Sequence, residues 1–222
     1  MKNVDMEHDV RTTKKDRQST RAAVLEAAGR IFAERGYAET TSKEICELAG
    51  ANSAAVNYYF GGKNNLYEEV LVEAHRQMSS LEELDALVNA DCAPEEKLRR
   101  LLTSLLHTAL TSSELWGVKI FLRELASPSA FVLQNMATVA QPKALRVRTL
   151  IQELTGLPAD SPKLQWATGF VLIPCISFIL FPQALQTLLL PGSGNTAAPL
   201  LDAMLAYVLG GLRALGNDNM GG

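Results

Sequence analysis

Cysteine is scarce in this chain of 222 residues and is poorly placed for chemistry. The three cysteines, Cys46, Cys92 and Cys175, lie far apart, and no CxxC pair occurs. An odd number of scattered cysteines favours neither a disulfide framework nor a zinc site. The polar start also lacks the apolar core of a secretory signal. We therefore expect a cytoplasmic protein with no bound metal or other cofactor.

Catalytic motifs are missing as well. No GxSxG or HExxH occurs, and the three histidines, His8, His75 and His107, are scattered. The segment PGSGNTAAP at 191–199 has the glycines of a phosphate-binding loop but lacks the GK[ST] ending and a preceding strand. The sequence therefore predicts that the chain is not an enzyme.

Charged residues are absent from Leu164 to Leu201. A run of about 20 apolar residues can span a membrane. Polar residues and prolines such as Gln165, Pro174 and Gln183 interrupt this run, and no Lys/Arg cluster follows it. We favour a helix buried within or between protein chains, with no membrane involved. A membrane anchor formed by residues 164–190 is the alternative.

The charge that is present is unevenly distributed. The net charge of −3 excludes a uniformly basic coat for nucleic acid. Residues 11–63 nevertheless carry nine Lys and Arg against six Asp and Glu, whereas residues 64–222 carry eleven against fifteen. The front of the chain therefore has the balance expected of a local basic face.

Apolar residues recur at helical spacing along the whole chain, and no alternating strand pattern with hairpin turns appears. The sequence therefore predicts an all-α fold. In the first strong helix, Thr20 is the expected N-cap, Val24, Ala28 and Phe32 form the apolar stripe, and Gly36 ends the helix.

Two short helices come next. Thr41 and Glu44 have the spacing of a capping box, and Gly50 ends the first of them. Asn52 is placed to cap the second, which runs to Phe60, and Lys63 begins a longer helix. Two short helices joined by a glycine-containing turn after a longer helix form a helix-turn-helix unit.

The second short helix carries residues that suit base reading. A recognition helix presents small or hydrogen-bonding side chains to base edges in the major groove. The candidate base-reading residues are Ser53, Ala54, Ala55 and Asn57. Phosphate oxygens accept from hydroxyl and ammonium groups. The candidate phosphate-binding residues are Thr41, Ser42, Lys43, Tyr58, Tyr59 and Lys63. Thr41 is also explained by its capping role alone. Asn57 and Lys63 are also explained as solvent-exposed residues that make no contact with DNA.

Residues 20–70 resemble the DNA-binding domain of the TetR/AcrR family of bacterial transcription regulators. The resemblance rests on four runs: Ala33–Gly36–Tyr37, Thr41–Ser42–Ile45, Ala49–Gly50 and Tyr59–Phe60–Gly61–Gly62–Lys63. It implies that Lys43, Ser53, Ala54, Ala55 and Asn57 read bases. It also implies that Thr41, Ser42, Tyr58, Tyr59 and Lys63 hold phosphates. Many members carry Tyr at the position of Asn57, which indicates a different operator, and Ser at that of Asn52, which keeps a capping side chain.

The resemblance also implies a C-terminal helical domain that binds a small ligand and dimerises through its last two long helices, 164–190 and 197–215. The run FLRELASPS is similar to the CecR-like subgroup. We therefore divide the chain into a flexible arm (1–17), a helix-turn-helix domain (18–78), a ligand-binding and dimerisation domain (79–216) and a flexible tail (217–222).

The ligand-binding residues are less well marked. The candidates are His107, Trp116, Phe121, Arg123, Glu124, Met136, Trp166 and Phe178. Apolar and aromatic walls suit a mostly hydrophobic effector, although such residues also fill ordinary cores. Arg123 and Glu124 alternatively pair with groups in neighbouring helices.

These features together predict a homodimeric, ligand-responsive regulator. We expect a repressor that leaves a palindromic double-stranded DNA operator when a small-molecule effector binds. A membrane-anchored DNA-binding protein that uses residues 164–190 is one alternative. A helical interaction module that does not bind DNA is a further alternative.

Overall fold

In the computed structural model, residues 4–111, 115–129, 131, 136–180 and 197–217 are described, and they contain helices but no strand. Four helices make up the N-terminal part: α1 (Val4–Arg35), α2 (Ser42–Leu48), α3 (Ala55–Phe60) and α4 (Lys63–Met78). The C-terminal part contains α5 (Leu81–Val88), α6 (Pro94–Thr111), α7 (Trp116–Ala126), a π-helical turn (Met136–Ala140), α8 (Gln141–Thr155), α9 (Pro162–Leu180) and α10 (Ala197–Asn217). The all-α prediction is confirmed.

The first helix begins earlier than the sequence predicted. Thr20 is not its N-cap, because α1 starts at Val4 and the Thr20 hydroxyl donates to the Asp16 carbonyl 2.9 Å away, one turn back. A hydroxyl that bonds to the carbonyl of residue i−4 lies inside a helix. Residues 4–17, which we assigned to a flexible arm, are therefore helical, while the four domain boundaries stay predictions. The end is as predicted: Gly36 has a φ of 84° and its N–H donates to the Phe32 carbonyl.

The two short helices also begin as the sequence indicated. The Thr41 side chain accepts from the Glu44 N–H while the Glu44 carboxylate accepts from the Thr41 N–H, so the capping box is confirmed. Asn52 lies ahead of α3 and its Oδ1 accepts from the Ala54 N–H at 2.9 Å. The Asn52 side chain thus forms the turn into α3, although Ala54 is the residue at the N-cap position.

Two apolar cores organise the chain. The N-terminal core joins α1 to α4, with Val24, Phe32, Val56 and Leu66 fully buried. The C-terminal core is built from α5, α6, α8, α9 and α10. Helix α7 enters both: its Trp116 and Ile120 belong to the N-terminal core, and its Val118 belongs to the C-terminal core. The two cores are therefore joined by a shared helix as well as by the chain.

Helix α9 contains residues 164–180 of the charge-free stretch, and residues 197–201 of that stretch begin α10. Leu164, Ala167, Val171 and Cys175 are buried in the C-terminal core, at the i, i+3, i+4 spacing of one helix face. Residues 181–190 of the predicted helix lie outside the described residues. Nothing supports the alternative of a membrane anchor at 164–190.

One helical stretch, Ala198–Gly216 in α10, has the length and composition of a membrane span among the described residues, and 22% of it is buried. Its Leu205, Val208 and Leu212 pack into the C-terminal core. An apolar helix that packs in this way is as typical of the core of a folded domain as of a membrane span.

Candidate DNA-binding face and effector cavity

The helix-turn-helix is anchored by its inner face. Ile45 and Cys46 of α2 and Val56 and Phe60 of α3 are buried against α1 and α4. Because helical residues alternate between faces with a period of 3.6, anchoring these residues turns the remaining side chains outward. The exposed members of the candidate set are Thr41, Lys43, Ser53, Ala54, Asn57 and Tyr58.

Ala55 does not share this outer face. Its exposed fraction is 5%, and it packs in the N-terminal core with Val24 and Val56. The prediction that Ala55 reads a base does not fit this conformation, because a side chain packed in the protein core cannot reach the groove. Ala55 sits two residues before Asn57, on the side of α3 that faces the protein.

The tyrosine pair is divided between surface and interior. Tyr58 is 67% exposed, whereas Tyr59 is half-buried, and their rings meet edge to face with centroids 4.8 Å apart. This division fits the expectation that adjacent helical tyrosines cannot both face inward. The Tyr58 hydroxyl is thus the better placed of the two to donate to a phosphate.

Lys43 is the single cation of α2, and its side chain is exposed. Its only ion pair among the described residues is with Glu47 at 3.8 Å, one turn along the same helix. An exposed pair of this kind contributes little to stability. The Lys43 ammonium can therefore move to a phosphate or a base edge at little cost to the fold. Ser42, beside it, is half-buried at the first position of α2.

Thr41 is already occupied by its capping role. Its hydroxyl and its N–H both donate to the Glu44 Oε2 at 2.8 Å. Those hydrogen bonds hold the pKa of Glu44 below its usual value, and Arg35 also pairs with this carboxylate at 3.0 Å. A phosphate only accepts hydrogen bonds. Thr41 can therefore donate to DNA only if Glu44 gives up its place.

Lys63 has a structural function that the sequence did not reveal. Its Nζ donates to the carbonyls of Tyr37 (2.8 Å) and Thr40 (2.5 Å), and it lies over the Tyr37 ring, 4.2 Å from the centroid. Burial lowers the pKa of this ammonium. The start of α4 is thus fixed to the loop between α1 and α2, and two of the three donors of Lys63 are used inside the protein.

Trp116 joins α7 to the N-terminal part and does not line the apolar cavity described below. Its Nε1 donates to the Glu26 carboxylate at 2.9 Å, and its ring packs over Gly29. A Cβ at Gly29 would lie 2.5 Å from an indole carbon, so only glycine permits this crossing of α1 and α7. Trp116 thus packs in the N-terminal core, and its role in ligand binding stays a prediction.

Arg123 and Glu124 are paired with neighbouring helices, the alternative that the sequence left open. Arg123 donates to the Glu34 carbonyl at 2.8 Å, at the end of α1. Glu124 is 5% exposed and accepts from the Tyr67 hydroxyl of α4 and from the Ser129 N–H at 2.8 Å. Burial, together with this carboxylate, raises the pKa of Tyr67. These two α7 residues therefore hold the domains together.

The other ligand candidates are dispersed. His107 is exposed on α6, Trp166 is exposed on α9, and Phe178 is half-buried against the C-terminal core. The side chain of Met136 lies outside the described residues. Phe121 is the one candidate found in the wall of the cavity described next.

An apolar cavity of about 200 Å³ lies between α4 and the C-terminal helices. Phe121 of α7, Leu105 of α6 and Leu172 of α9 contribute to its apolar walls, and His75 of α4 and Lys143 of α8 contribute the nitrogen-bearing side chains. The His75 and Phe121 rings meet edge to face at 4.3 Å. Burial, and secondarily the charge of Lys143, lowers the pKa of His75 to about 4, so the imidazole is neutral at pH 7.

Sequence reasoning missed His75 and Lys143. Each stands in a helix with an ordinary alternation of charged and apolar residues, HRQM and PKALRVR. Only the fold places them at one cavity, since they are 68 residues apart in the chain. No local pattern could have identified this pair.

Two family matches cover most of the chain. Residues 24–70 match the family described as bacterial regulatory proteins, tetR family. Residues 94–212 match the C-terminal domain of the HTH-type transcriptional dual regulator CecR. The chain therefore belongs to the TetR family of DNA-binding transcriptional regulators, and its C-terminal domain is of the CecR type. Both resemblances predicted from the sequence are confirmed.

Individual relatives are similar mainly in the DNA-binding part. The probable HTH-type transcriptional regulator ArpR of Pseudomonas putida is 41% identical over 85 residues, which cover 35% of this chain and 40% of ArpR. The HTH-type transcriptional repressor NicS of Pseudomonas putida is 34% identical over 94 residues, 42% of each protein. The chain thus matches less than half the length of these curated relatives.

A solved structure extends the likeness to the whole fold. HlyIIR, a hemolysin II transcriptional regulator, superposes with a TM-score of 0.60 at 24% identity, covering 86% of this chain and 97% of HlyIIR. At that identity the match concerns the fold alone. It confirms the predicted arrangement of an N-terminal helix-turn-helix unit followed by a helical domain.

Proposed function

We propose that the protein is a homodimeric repressor that binds a palindromic DNA operator and leaves it when a compact, mostly apolar effector enters the cavity. The observation that carries this proposal is the course of α4. This helix starts directly after the recognition helix, at Lys63, and its last turn forms part of the cavity wall, at His75 and Met78. Repression is the role stated in the name of NicS. We also infer a cytoplasmic, non-catalytic protein, as suits a regulator that meets chromosomal DNA.

The DNA contacts follow from exposure and hydrogen-bonding capacity. We assign base reading to Ser53, Ala54 and Asn57, since Asn pairs bidentately with adenine and an alanine methyl group meets thymine. Lys43 and Tyr58 supply the exposed phosphate donors. Ser42 and Tyr59 are half-buried at the margin of this face, and Thr41 and Lys63 hold its backbone in position.

Dimerisation would cover an apolar surface that the single chain leaves open. On α9, Trp166, Phe170 and Ile173 face outward, with Ile173 64% exposed, and Tyr207 of α10 is 82% exposed. Large apolar side chains at i, i+4 and i+7 form one continuous face, and a continuous exposed apolar face marks an interaction surface. A twofold dimer through α9 and α10 would place two recognition helices on successive turns of DNA.

Effector control then needs a path from the cavity to α3. Helix α4 supplies it together with α7, which ties to α1 through Trp116 and Arg123 and to α4 through Glu124. An effector acts only if it binds the DNA-incompetent arrangement more tightly than the competent one. A shift of α4 and α7 would then change the separation of the two recognition helices.

Operator selection tests the DNA-binding proposal. The purified full chain is mixed with genomic fragments at moderate salt, and the retained fragments are sequenced. One enriched palindrome is expected. Lys43→Met should then reduce the slope of log affinity against log salt by about two, since the dimer loses one phosphate contact in each half-site. Arg100→Met, which removes an exposed cation from α6, should leave the slope unchanged. No enriched sequence from the folded protein at either low or moderate salt would refute the proposal.

Sedimentation tests the dimer. Ile173→Asp places a charge in the proposed interface and should shift the protein from dimer to monomer. Leu145→Asp places the same charge on another exposed apolar position, on α8, and should leave the dimer intact. A dimer that survives Ile173→Asp at low protein concentration would exclude this face.

A further inference from the structure

The effector cavity carries one permanent charge among the described residues that line it, the ammonium of Lys143. The other lining groups are apolar or neutral, since the pKa of about 4 keeps His75 uncharged and Ser79 is a hydroxyl. A ligand for such a cavity needs an apolar body, because its walls are almost wholly hydrocarbon. The chemistry of its polar end is decided by Lys143.

Lys143 reaches across from α8 to the end of α4. Its Nζ donates to the His75 carbonyl at 2.8 Å and to the Ser79 carbonyl. The His75 carbonyl also accepts from the Ser79 N–H at 3.3 Å, and the carbonyls at the C-terminal end of a helix carry partial negative charge. The ammonium therefore fixes the last turn of α4, the helix that begins directly after the recognition helix α3.

This ammonium lacks a full counter-charge among the described residues. It makes no ion pair with a described carboxylate, and two of its three donors go to neutral carbonyls. Burial lowers the pKa of Lys143, while the more distant charges of Glu82 and Glu83 raise it. A partly buried cation whose direct partners are carbonyl dipoles is stabilised when an anion approaches it.

The cavity volume limits the ligand. Benzene occupies an engineered apolar cavity of roughly 150 Å³, so about 200 Å³ holds one aromatic ring with a small substituent or a short alkyl chain.

We propose that the effector is a compact amphipathic carboxylate, whose apolar body fills this cavity and whose carboxylate binds the Lys143 ammonium at the C-terminal end of α4. The inference rests on the proposed function of the cavity as the effector site. A carboxylate bound there competes with the His75 and Ser79 carbonyls for the ammonium. The last turn of α4 is thereby loosened, and the signal begins at the helix that positions α3.

The experiment compares matched small molecules on the full-length dimer by titration calorimetry. Benzoate is the first probe, and benzamide is its neutral isostere. Hexanoate and hexanamide form a second pair with an alkyl body. We expect each carboxylate to bind at least about tenfold more tightly than its amide, the difference that one charged hydrogen bond supplies. Phenylphosphonate, with a larger and more highly charged head, should bind more weakly than benzoate.

A variant assigns the difference to Lys143. Lys143→Met keeps an apolar stem of similar length, and it should remove the preference for carboxylate over amide. Arg148→Met is the matched control, because it deletes a cation from the same helix whose guanidinium donates to the Ala159 carbonyl away from the cavity. That variant should keep the preference. If Lys143→Met does not fold, the pairs measured on the unchanged protein still decide the matter.

Several outcomes would overturn the inference. Equal binding of benzoate and benzamide would show that the cavity takes neutral ligands, and tighter phosphonate binding would show a phosphate-type site. Absence of binding by both carboxylates would also refute it. Operator selection is an independent test: an operator recovered while carboxylates fail to bind or to release it would refute this inference and leave the proposed function standing.

Discussion

A single methyl group at Gly29 tests the contact between α1 and α7. In an open helix position, Gly→Ala stabilises by about 1 kcal/mol. Here the new Cβ would lie 2.5, 2.6 and 2.7 Å from three carbons of the Trp116 indole. Carbon atoms pack best at about 3.5–4.0 Å, so the ring must retreat by about 1 Å. That retreat stretches the 2.9 Å hydrogen bond from Trp116 to Glu26 beyond bonding distance.

The expected magnitude follows from these opposing terms. Overpacking a core costs about 1–3 kcal/mol, and the lost hydrogen bond adds about 1 kcal/mol. Against a gain of about 1 kcal/mol in helix propensity, Gly29→Ala should destabilise the protein by about 1–3 kcal/mol. For a chain of this size, that lowers Tm by several degrees, at about 2–4 °C per kcal/mol.

The assay is urea unfolding followed by circular dichroism at one fixed protomer concentration, since dimer stability depends on concentration. The matched control repeats the same change in a Trp116→Leu background, where the ring is gone and the methyl group should be neutral or stabilising. The coupling between the two positions should therefore exceed about 1 kcal/mol. A Gly29→Ala protein as stable as the parent would refute the described crossing of α1 and α7.

Three further predictions concern single side chains. The pKa of His75 in the folded protein is about 4, below its usual value of 6.5. As the pH falls, the imidazole is therefore protonated in the unfolded chain before it is protonated in the folded one. Up to ~3 kcal/mol of the free energy of unfolding should be lost between pH 6.5 and 4. His75→Phe should remove this loss in urea titrations across that range, whereas His107→Gln should keep it. Tyr67→Phe should destabilise by about 1.5–3 kcal/mol because the buried Glu124 loses a hydrogen bond. The loss should be much smaller once Glu124 is replaced by Met, which has no carboxylate acceptor, and a fully additive double variant would argue against this bond. Arg123→Met should cost about 0.5–1.5 kcal/mol in thermal unfolding by removing the donor to the end of α1, and an unchanged Tm would exclude that role.

The DNA-binding part could be predicted from the sequence because its signals are local. A capping box needs only Thr41 and Glu44 three residues apart, and the helix ends need only glycines able to adopt positive φ, such as Gly36 and Gly61. The start of α1 was missed because a threonine in mid-helix has the same appearance as an N-cap in the sequence. Only the bond from Thr20 back to Asp16 distinguishes the two.

The effector cavity could not be predicted in the same way. Aromatic and charged residues were chosen by type, but type does not reveal which side of a helix faces which neighbour. Trp116 and Arg123 share α7 with Phe121, yet they turn toward α1 while Phe121 reaches the cavity. Lys143 is one of several cations on α8, and its burial depends on the end of α4, which is far away in the sequence.

Helix α7 packs into both apolar cores, and this limits where the chain can be divided into fragments that fold. A fragment that ends with α4 keeps the whole helix-turn-helix but loses Trp116 and Ile120, which fill the side of its core opposite the DNA-binding face. Such a fragment would expose a groove at Gly29 and should be prone to aggregation. The recognition unit therefore cannot be grafted as a cassette onto another sensor domain unless the recipient supplies an equivalent of α7.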